Sequence, residues 1–190
     1  MFMSLGHGIE DIDTGKIVEI SNGELVTASV ISIVKGEKDR PGELRGTISN
    51  GSNIGKIYRN TKLGVYGNLS NKEIVSVNAN DAIEVANRSE IKEGEATILC
   101  QIDNSSVKEY KIEIEKIYTN NNLNNKSMLI KIVDENLLEK TGGIIQGMSG
   151  APVLQGGKLI GAITNVLVKD PTQGYAVFAD LLIKQMREVK

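Results

Sequence analysis

Two residues of this chain combine the type and the local setting that nucleophilic catalysis needs, Ser149 and His7. Ser149 lies in Gly147-Met148-Ser149-Gly150-Ala151-Pro152, a small-residue loop followed at once by the apolar strand start Val153-Leu154. Glycines before and after the serine open backbone conformations closed to other residues, so that the amides of Gly147 and Ser149 can converge on one point. Two converging donors there would form an oxyanion hole, the preorganised site that stabilises the oxygen of a tetrahedral intermediate. Taken alone, the loop reads as readily as a glycine-rich turn with an idle serine. A serine hydroxyl is a poor nucleophile at neutral pH and needs an adjacent base, most often histidine. His7 is the only histidine in the chain and sits in Leu5-Gly6-His7-Gly8-Ile9, with glycine on both sides. That setting suits a ring that must approach another loop closely.

Order along the chain separates the serine-hydrolase classes. The pattern G-x-S-x-G superficially fits Gly147 to Ala151, but the α/β-hydrolase fold places its histidine after the serine, and no histidine follows Ser149. An early histidine and a late serine give the chymotrypsin order. A third residue must accept the other ring proton of His7. Asp134, just upstream of the serine loop, is the first choice, and its competing role is an N-cap for a short helix. Asp11 and Asp13 are the rivals, competing with turn formation before Thr14-Gly15. A Ser-Lys dyad with Lys158 is a more distant option. Thr164, Asn165 and Val166 lie where a chymotrypsin-like barrel borders its specificity pocket, and they are expected to bind substrate by strand addition. Gly142 and Gly143 leave no charge for the base of that pocket, which points to small or apolar substrate residues.

The elements that must position these residues are strands. Short β-branched runs punctuated by turn residues read as Lys16 to Ile20, Leu25 to Val34, Arg45 to Ser49, Lys62 to Tyr66, Glu73 to Val77, Ala96 to Ile102, Lys108 to Tyr118, Met128 to Val133 and Lys158 to Val168. Ser21-Asn22-Gly23 reads as a hairpin turn between the first two. Lys111 to Ile117 reads as a strand with one wet face, its charged and apolar residues alternating from Lys111 to Glu115. Two helices are expected, Asp134 to Lys140 and Asp180 to Val189, and the Asn-rich stretch Asn120 to Asn125 reads as a solvated loop. The fold class expected is mainly β, a chymotrypsin/trypsin-like double β-barrel with a short C-terminal helix. It divides residues 1–190 into an N-terminal barrel (1–90), a C-terminal barrel (91–178) and the terminal helix (179–190).

Composition narrows the partners. A formal charge of -2 offers no electrostatic footprint for nucleic acid or acidic membranes. One cysteine, Cys100, cannot form an internal disulfide, and with a single histidine it cannot build the usual Cys/His zinc site, so no metal or other cofactor is expected. No run approaches the roughly 20 apolar residues that span a bilayer, and Met1 to Leu5 is too short for a signal-peptide core.

Leu5-Gly6-His7-Gly8-Ile9 with Asp11-Ile12-Asp13-Thr14-Gly15, and Leu137-Leu138-Glu139-Lys140-Thr141-Gly142-Gly143-Ile144-Ile145-Gln146 leading into the serine loop, resemble the stage IV sporulation protein B (SpoIVB) serine peptidases of spore-forming Firmicutes. Gly161-Ala162-Ile163-Thr164-Asn165-Val166 with Asp170-Pro171-Thr172-Gln173-Gly174-Tyr175 fits the same pattern. The resemblance implies an endopeptidase acting outside the cytoplasm, between the two membranes around a developing spore. It implies a protein substrate, a membrane-protein regulator of sigma-factor processing, together with self-cleavage. The family's catalytic histidine and serine fall on His7 and Ser149, and its proposed aspartate on Asp134. Family members usually carry a membrane anchor and a PDZ domain before the peptidase. Neither is seen in this chain, so a fragment or a shortened paralogue is expected, the latter with an incomplete first barrel. The alternative function is a catalytically inactive peptidase-like β-barrel that binds a peptide or regulatory protein.

Overall fold

A computed structural model of the chain describes residues 1–70, 82–119 and 125–188. The strand expected at Glu73 to Val77 lies outside them, as do Val189 and all of the Asn-rich stretch except Asn125. The described chain is mainly β. Strands β1 (Phe2–Ser4), β2 (Gly23–Val34), β3 (Glu43–Thr61) and β4 (Gly64–Leu69) form one antiparallel sheet in the order β1-β4-β3-β2. Strands β5 (Gly94–Cys100), β6 (Lys108–Ile117), β7 (Met128–Ile132), β8 (Pro152–Gln155), β9 (Lys158–Leu167) and β10 (Asp170–Phe178) close into a barrel in the order β10-β7-β6-β5-β8-β9. Two α-helices lie among the described residues, α1 (Glu135–Thr141) and α2 (Ala179–Glu188). Among the described residues none is long and apolar enough to cross a membrane.

The barrel follows from alternation. On β6 the side chains of Tyr110, Ile112 and Ile114 are buried while Lys111 and Glu113 face solvent, which is the period-2 pattern of a half-wet strand. On β7, Met128, Ile130 and Ile132 point the same way, and Ile112 lies opposite Ile132 and Ile114 opposite Ile130. Burying each such side chain is worth about 1.5–3 kcal/mol, so these cross-strand pairs with Ile98 and Ile160 make a core that fixes the register of the barrel wall. A slip of one residue would turn the lysines and glutamates of β6 inward.

The four-stranded sheet is joined to the barrel at several places. The connection between β2 and β3 docks on the segment before the serine loop: Gly36 N donates to Thr141 O (2.8 Å), Gln146 N to Gly42 O (2.8 Å) and Leu44 N to Gln146 O (2.8 Å). Ile33 and Leu44 of the sheet pack on the barrel core there. Asn104, between β5 and β6, clips the free edge of β2, its side chain accepting from Val30 N (2.8 Å) and donating to Val30 O (2.7 Å). Finally, α2 buries Leu182 against Ala162 and Val177 of the barrel, beside Met3 and Leu63 of the sheet lobe.

Several strand boundaries differ from those expected. Lys16 to Ile20 forms no strand: Ile17 makes a lone bridge to Glu10, and β2 begins at Gly23 without a hairpin partner upstream. The strand expected at Arg45 to Ser49 continues to Thr61, with register shifts against β2 between Val26 and Ala28. Asp170–Phe178 forms a strand where none was expected, and Phe2–Ser4 forms a short strand ahead of the histidine loop.

Candidate active site

The loop carrying Ser149 is held from below. Met148 is buried in the barrel core, and its amide donates to Ile145 O (3.1 Å) while its carbonyl accepts from Ala151 N (3.0 Å). Gly150 N donates to Ile163 O (2.8 Å) on β9. With the residues on either side anchored inward, the Ser149 side chain projects from the rim. Gly147 and Gly150 take φ of 103° and 89°, the left-handed half of the map that side-chain-bearing residues rarely adopt. The amides of Gly147 and Ser149 find no acceptor among the described residues, and both residues line the cleft in front of the serine.

The loop carrying His7 descends onto this rim from β1. Leu5 has φ of 70°, a strained value for a branched side chain. It turns the chain so that Gly6 rests on Ile163 O and Thr164 of β9. Beyond the histidine, the Asn60 side chain accepts from Ile9 N (2.9 Å) and donates to Ile9 O (2.7 Å) and Val18 O (3.0 Å), tying the far side of the loop to β3.

Between these loops His7 Nε2 lies 3.0 Å from Ser149 Oγ, though 142 positions separate them in the chain. The other ring nitrogen, Nδ1, lies 2.9 Å from Gly8 O. A carbonyl only accepts, so that contact requires a proton on Nδ1. In the neutral ring this leaves the Nε2 lone pair free to accept from the serine hydroxyl. Ser149 Oγ is also 3.0 Å from Thr164 O. Having a single proton, the hydroxyl can satisfy one of these two acceptors at a time.

No carboxylate meets the ring among the described residues. Asp134 is the N-cap of α1, where its carboxylate accepts from Leu137 N (3.0 Å) and from Lys111 N (3.3 Å) on β6. The expectation that it stands behind His7 is corrected accordingly: its oxygens are committed to a helix end and a strand. Asp11 accepts from the amide and hydroxyl of Thr14, which hold its carboxyl below the usual range, and neither Asp11 nor Asp13 bonds to the ring. Lys158 Nζ is bound by Glu90 (2.7 Å) and Glu84 (2.9 Å), not by Ser149.

The cleft beside Ser149 encloses about 420 Å³ and is lined by Leu5, His7, Ile144 to Gly147, Ser149 and Thr164 to Val166. Thr164, Asn165 and Val166 thus lie on the wall facing the two reactive side chains. Thr164 is buried, its hydroxyl donating to Asn125 O (3.0 Å) or Tyr175 O (3.2 Å), and Asn165 is exposed.

The family model described as SpoIVB peptidase S55 matches residues 1–183, a span that includes both loops. The chain belongs to the SpoIVB peptidase S55 family. No curated protein matches it. Among solved structures, the one described as "Crystal structure of Rv3671c protease, inactive form" aligns with a TM-score of 0.49 at 12% identity, covering 88% of this chain and 86% of that chain. In this S55 peptidase chain, sequence reasoning missed Asn60 and the Gly8 carbonyl. Asn60 lies 51 positions from Ile9 in a stretch without a motif, and a backbone acceptor leaves no residue-type signature. The glycine after the histidine was the one available hint.

Proposed function

We propose that this chain is a serine endopeptidase in which Ser149 Oγ attacks the carbonyl carbon of the scissile peptide bond and His7 Nε2 removes the hydroxyl proton. The amides of Gly147 and Ser149 receive the oxyanion that forms. His7 then delivers its proton to the departing amine, and water repeats the cycle on the acyl-enzyme. Gly8 O takes the place of the usual carboxylate, holding Nδ1-H and so the productive tautomer. As a neutral acceptor it stabilises the imidazolium less than an aspartate would. The extended substrate lies along Thr164 to Val166, and its amide takes Thr164 O as acceptor. That contact removes the rival acceptor for the Ser149 proton and commits it to His7.

The observation that carries this reading is the 3.0 Å contact between His7 Nε2 and Ser149 Oγ. A fluorophosphonate probe tests it by forming a phosphorus bond to Ser149 Oγ with loss of fluoride, read by intact mass. Labelling is expected in the native chain, absent in Ser149→Ala, and slowed about 10²–10⁴-fold in His7→Ala. A folded native chain that takes no label overturns the proposal. Family membership extends it to a substrate that is a membrane-protein regulator of sigma-factor processing in sporulation, met outside the cytoplasm between the two spore membranes, with self-cleavage.

The second reading is a catalytically silent barrel that binds a peptide or regulator in the same cleft. The lack of a carboxylate at Nδ1 among the described residues favours it. It predicts partner binding that survives Ser149→Ala, and no label.

A further inference from the structure

The sequence points only to small or apolar residues at the cut, and the cleft wall narrows that preference. If Ser149 Oγ is bonded to the scissile carbon, the oxyanion faces the amides of Gly147 and Ser149, and the preceding substrate amide faces Thr164 O, the side chain before the cut is directed into the cleft lined by Ile144 to Gly147 and Thr164 to Val166. It enters between the Ile144–Gly147 segment and β9. Ile144 and Ile145 of that segment are 2% and 1% exposed. On β10, Gly174 lies opposite Val166, and a Cβ placed on it would stand 2.6 Å from Ile144 Cδ1 and 2.5 Å from Asn165 O. The end of the Ile144 side chain therefore occupies the room that a glycine leaves in the barrel wall, and Ile144 itself lines the cleft. Apart from His7, none of the residues lining the cleft carries a charge.

We infer that Ile144 sets the specificity of the cleft, and that the residue it accepts before the cut is a small aliphatic one, alanine or valine. A lysine, arginine or aspartate there would bury a charge with no partner, which apolar surroundings penalise heavily. A phenylalanine would meet the Ile144 side chain, which cannot retreat because the barrel behind it is packed.

This inference rests on the serine peptidase reading, and the test separates the two. Tripeptidyl diphenyl phosphonates ending in the alanine, valine, phenylalanine, lysine or aspartate analogue transfer phosphorus to Ser149 Oγ with release of phenol. Their second-order labelling rates are compared in the native chain, in Ile144→Ala and in the milder Ile144→Val, beside a fluorophosphonate with no peptide portion. The alanine and valine probes are expected to react at least about tenfold faster than the phenylalanine, lysine and aspartate probes. The phenylalanine-to-alanine rate ratio is expected to rise about tenfold or more in Ile144→Ala and by a smaller factor in Ile144→Val. If Ile144→Ala does not fold, the shift in Ile144→Val decides. A lysine or aspartate probe that reacts fastest, or a ratio that Ile144 variants leave unmoved, overturns the inference while leaving Ser149 labelled. No labelling by any probe, the simple fluorophosphonate included, removes the serine peptidase reading and this inference with it.

Discussion

Leu5 and Gly150 lie backbone to backbone, so close that a Cβ on Gly150 would stand 2.6 Å from Leu5 N. Through this contact the loop bearing the histidine is seated on the loop bearing the serine. Both residues hold left-handed backbone, with φ of 70° and 89°. The juxtaposition of His7 and Ser149 is thus built into two main chains before any side chain is counted.

Gly150→Ala tests that seating. The added methyl meets backbone rather than a flexible side chain and carries the cost of left-handed φ, together on the order of 3 kcal/mol. Chemical denaturation should show the loss, and fluorophosphonate labelling should slow sharply even where the chain stays folded. Native-like stability with a native labelling rate would show that the loops are not coupled here.

Asp134 separates a structural carboxylate from a catalytic one. As the N-cap of α1 with a second bond to Lys111 N, it should cost about 1 kcal/mol of stability when changed to alanine. The labelling rate of Ser149 should be retained at temperatures where the variant is folded. A labelling loss of a hundredfold or more at unchanged stability would put the carboxylate in the proton path.

Asn60 positions the histidine loop from outside through three hydrogen bonds to Ile9 and Val18. Asn60→Ala should destabilise by about 2 kcal/mol and lower the labelling rate while leaving its dependence on His7 intact. A variant unaltered in both respects would remove Asn60 from the positioning of His7.

Cys100 carries a pH signature. Burial, with the Asp134 carboxylate adding to it, pushes its thiol from 9.0 up to about 11. As pH rises through this window the unfolded chain loses the proton first, so the folded chain holds more protons and stability falls with pH. The loss is on the order of 2 kcal/mol. Urea titrations from pH 8 to 11 should show the fall, with a shallower slope in Cys100→Ala, and iodoacetamide at pH 8 should modify the thiol only after denaturant is added. An identical slope in the variant would assign the fall to other groups, the buried Tyr66 among them, whose hydroxyl burial pushes up to about 12.

How much of this was legible in the sequence depended on whether each feature leaves a residue-type trace. The wall of the barrel does: Lys111 to Glu115 alternates because one face of β6 is wet, and the structure buries the apolar residues of that run, Ile112 and Ile114. Lys16 to Ile20 carries the same β-branched trace without the sheet neighbour that would make it a strand. Conversely, β10 begins Asp170-Pro171-Thr172-Gln173-Gly174, a polar turn-like run that becomes strand because β7 and β9 pair with it on both sides. In the site, the meeting of Ser149 and His7 was legible because the chain has one histidine to offer. The role of Asp134 was not. Helix capping and imidazole orientation ask for the same side chain, and only geometry tells which one has it. The Gly8 carbonyl is silent in any sequence.

Because His7 is the sole imidazole, its ring nitrogens can be observed without assignment ambiguity by NMR on chain labelled with ¹⁵N-histidine, recorded where the ring is neutral. The account predicts a proton on Nδ1, bonded to Gly8 O, and an unprotonated Nε2 whose shift moves when Ser149 is changed to alanine. A ring protonated at Nε2 with Nδ1 bare, or an Nε2 resonance indifferent to the loss of the Ser149 hydroxyl, would contradict it.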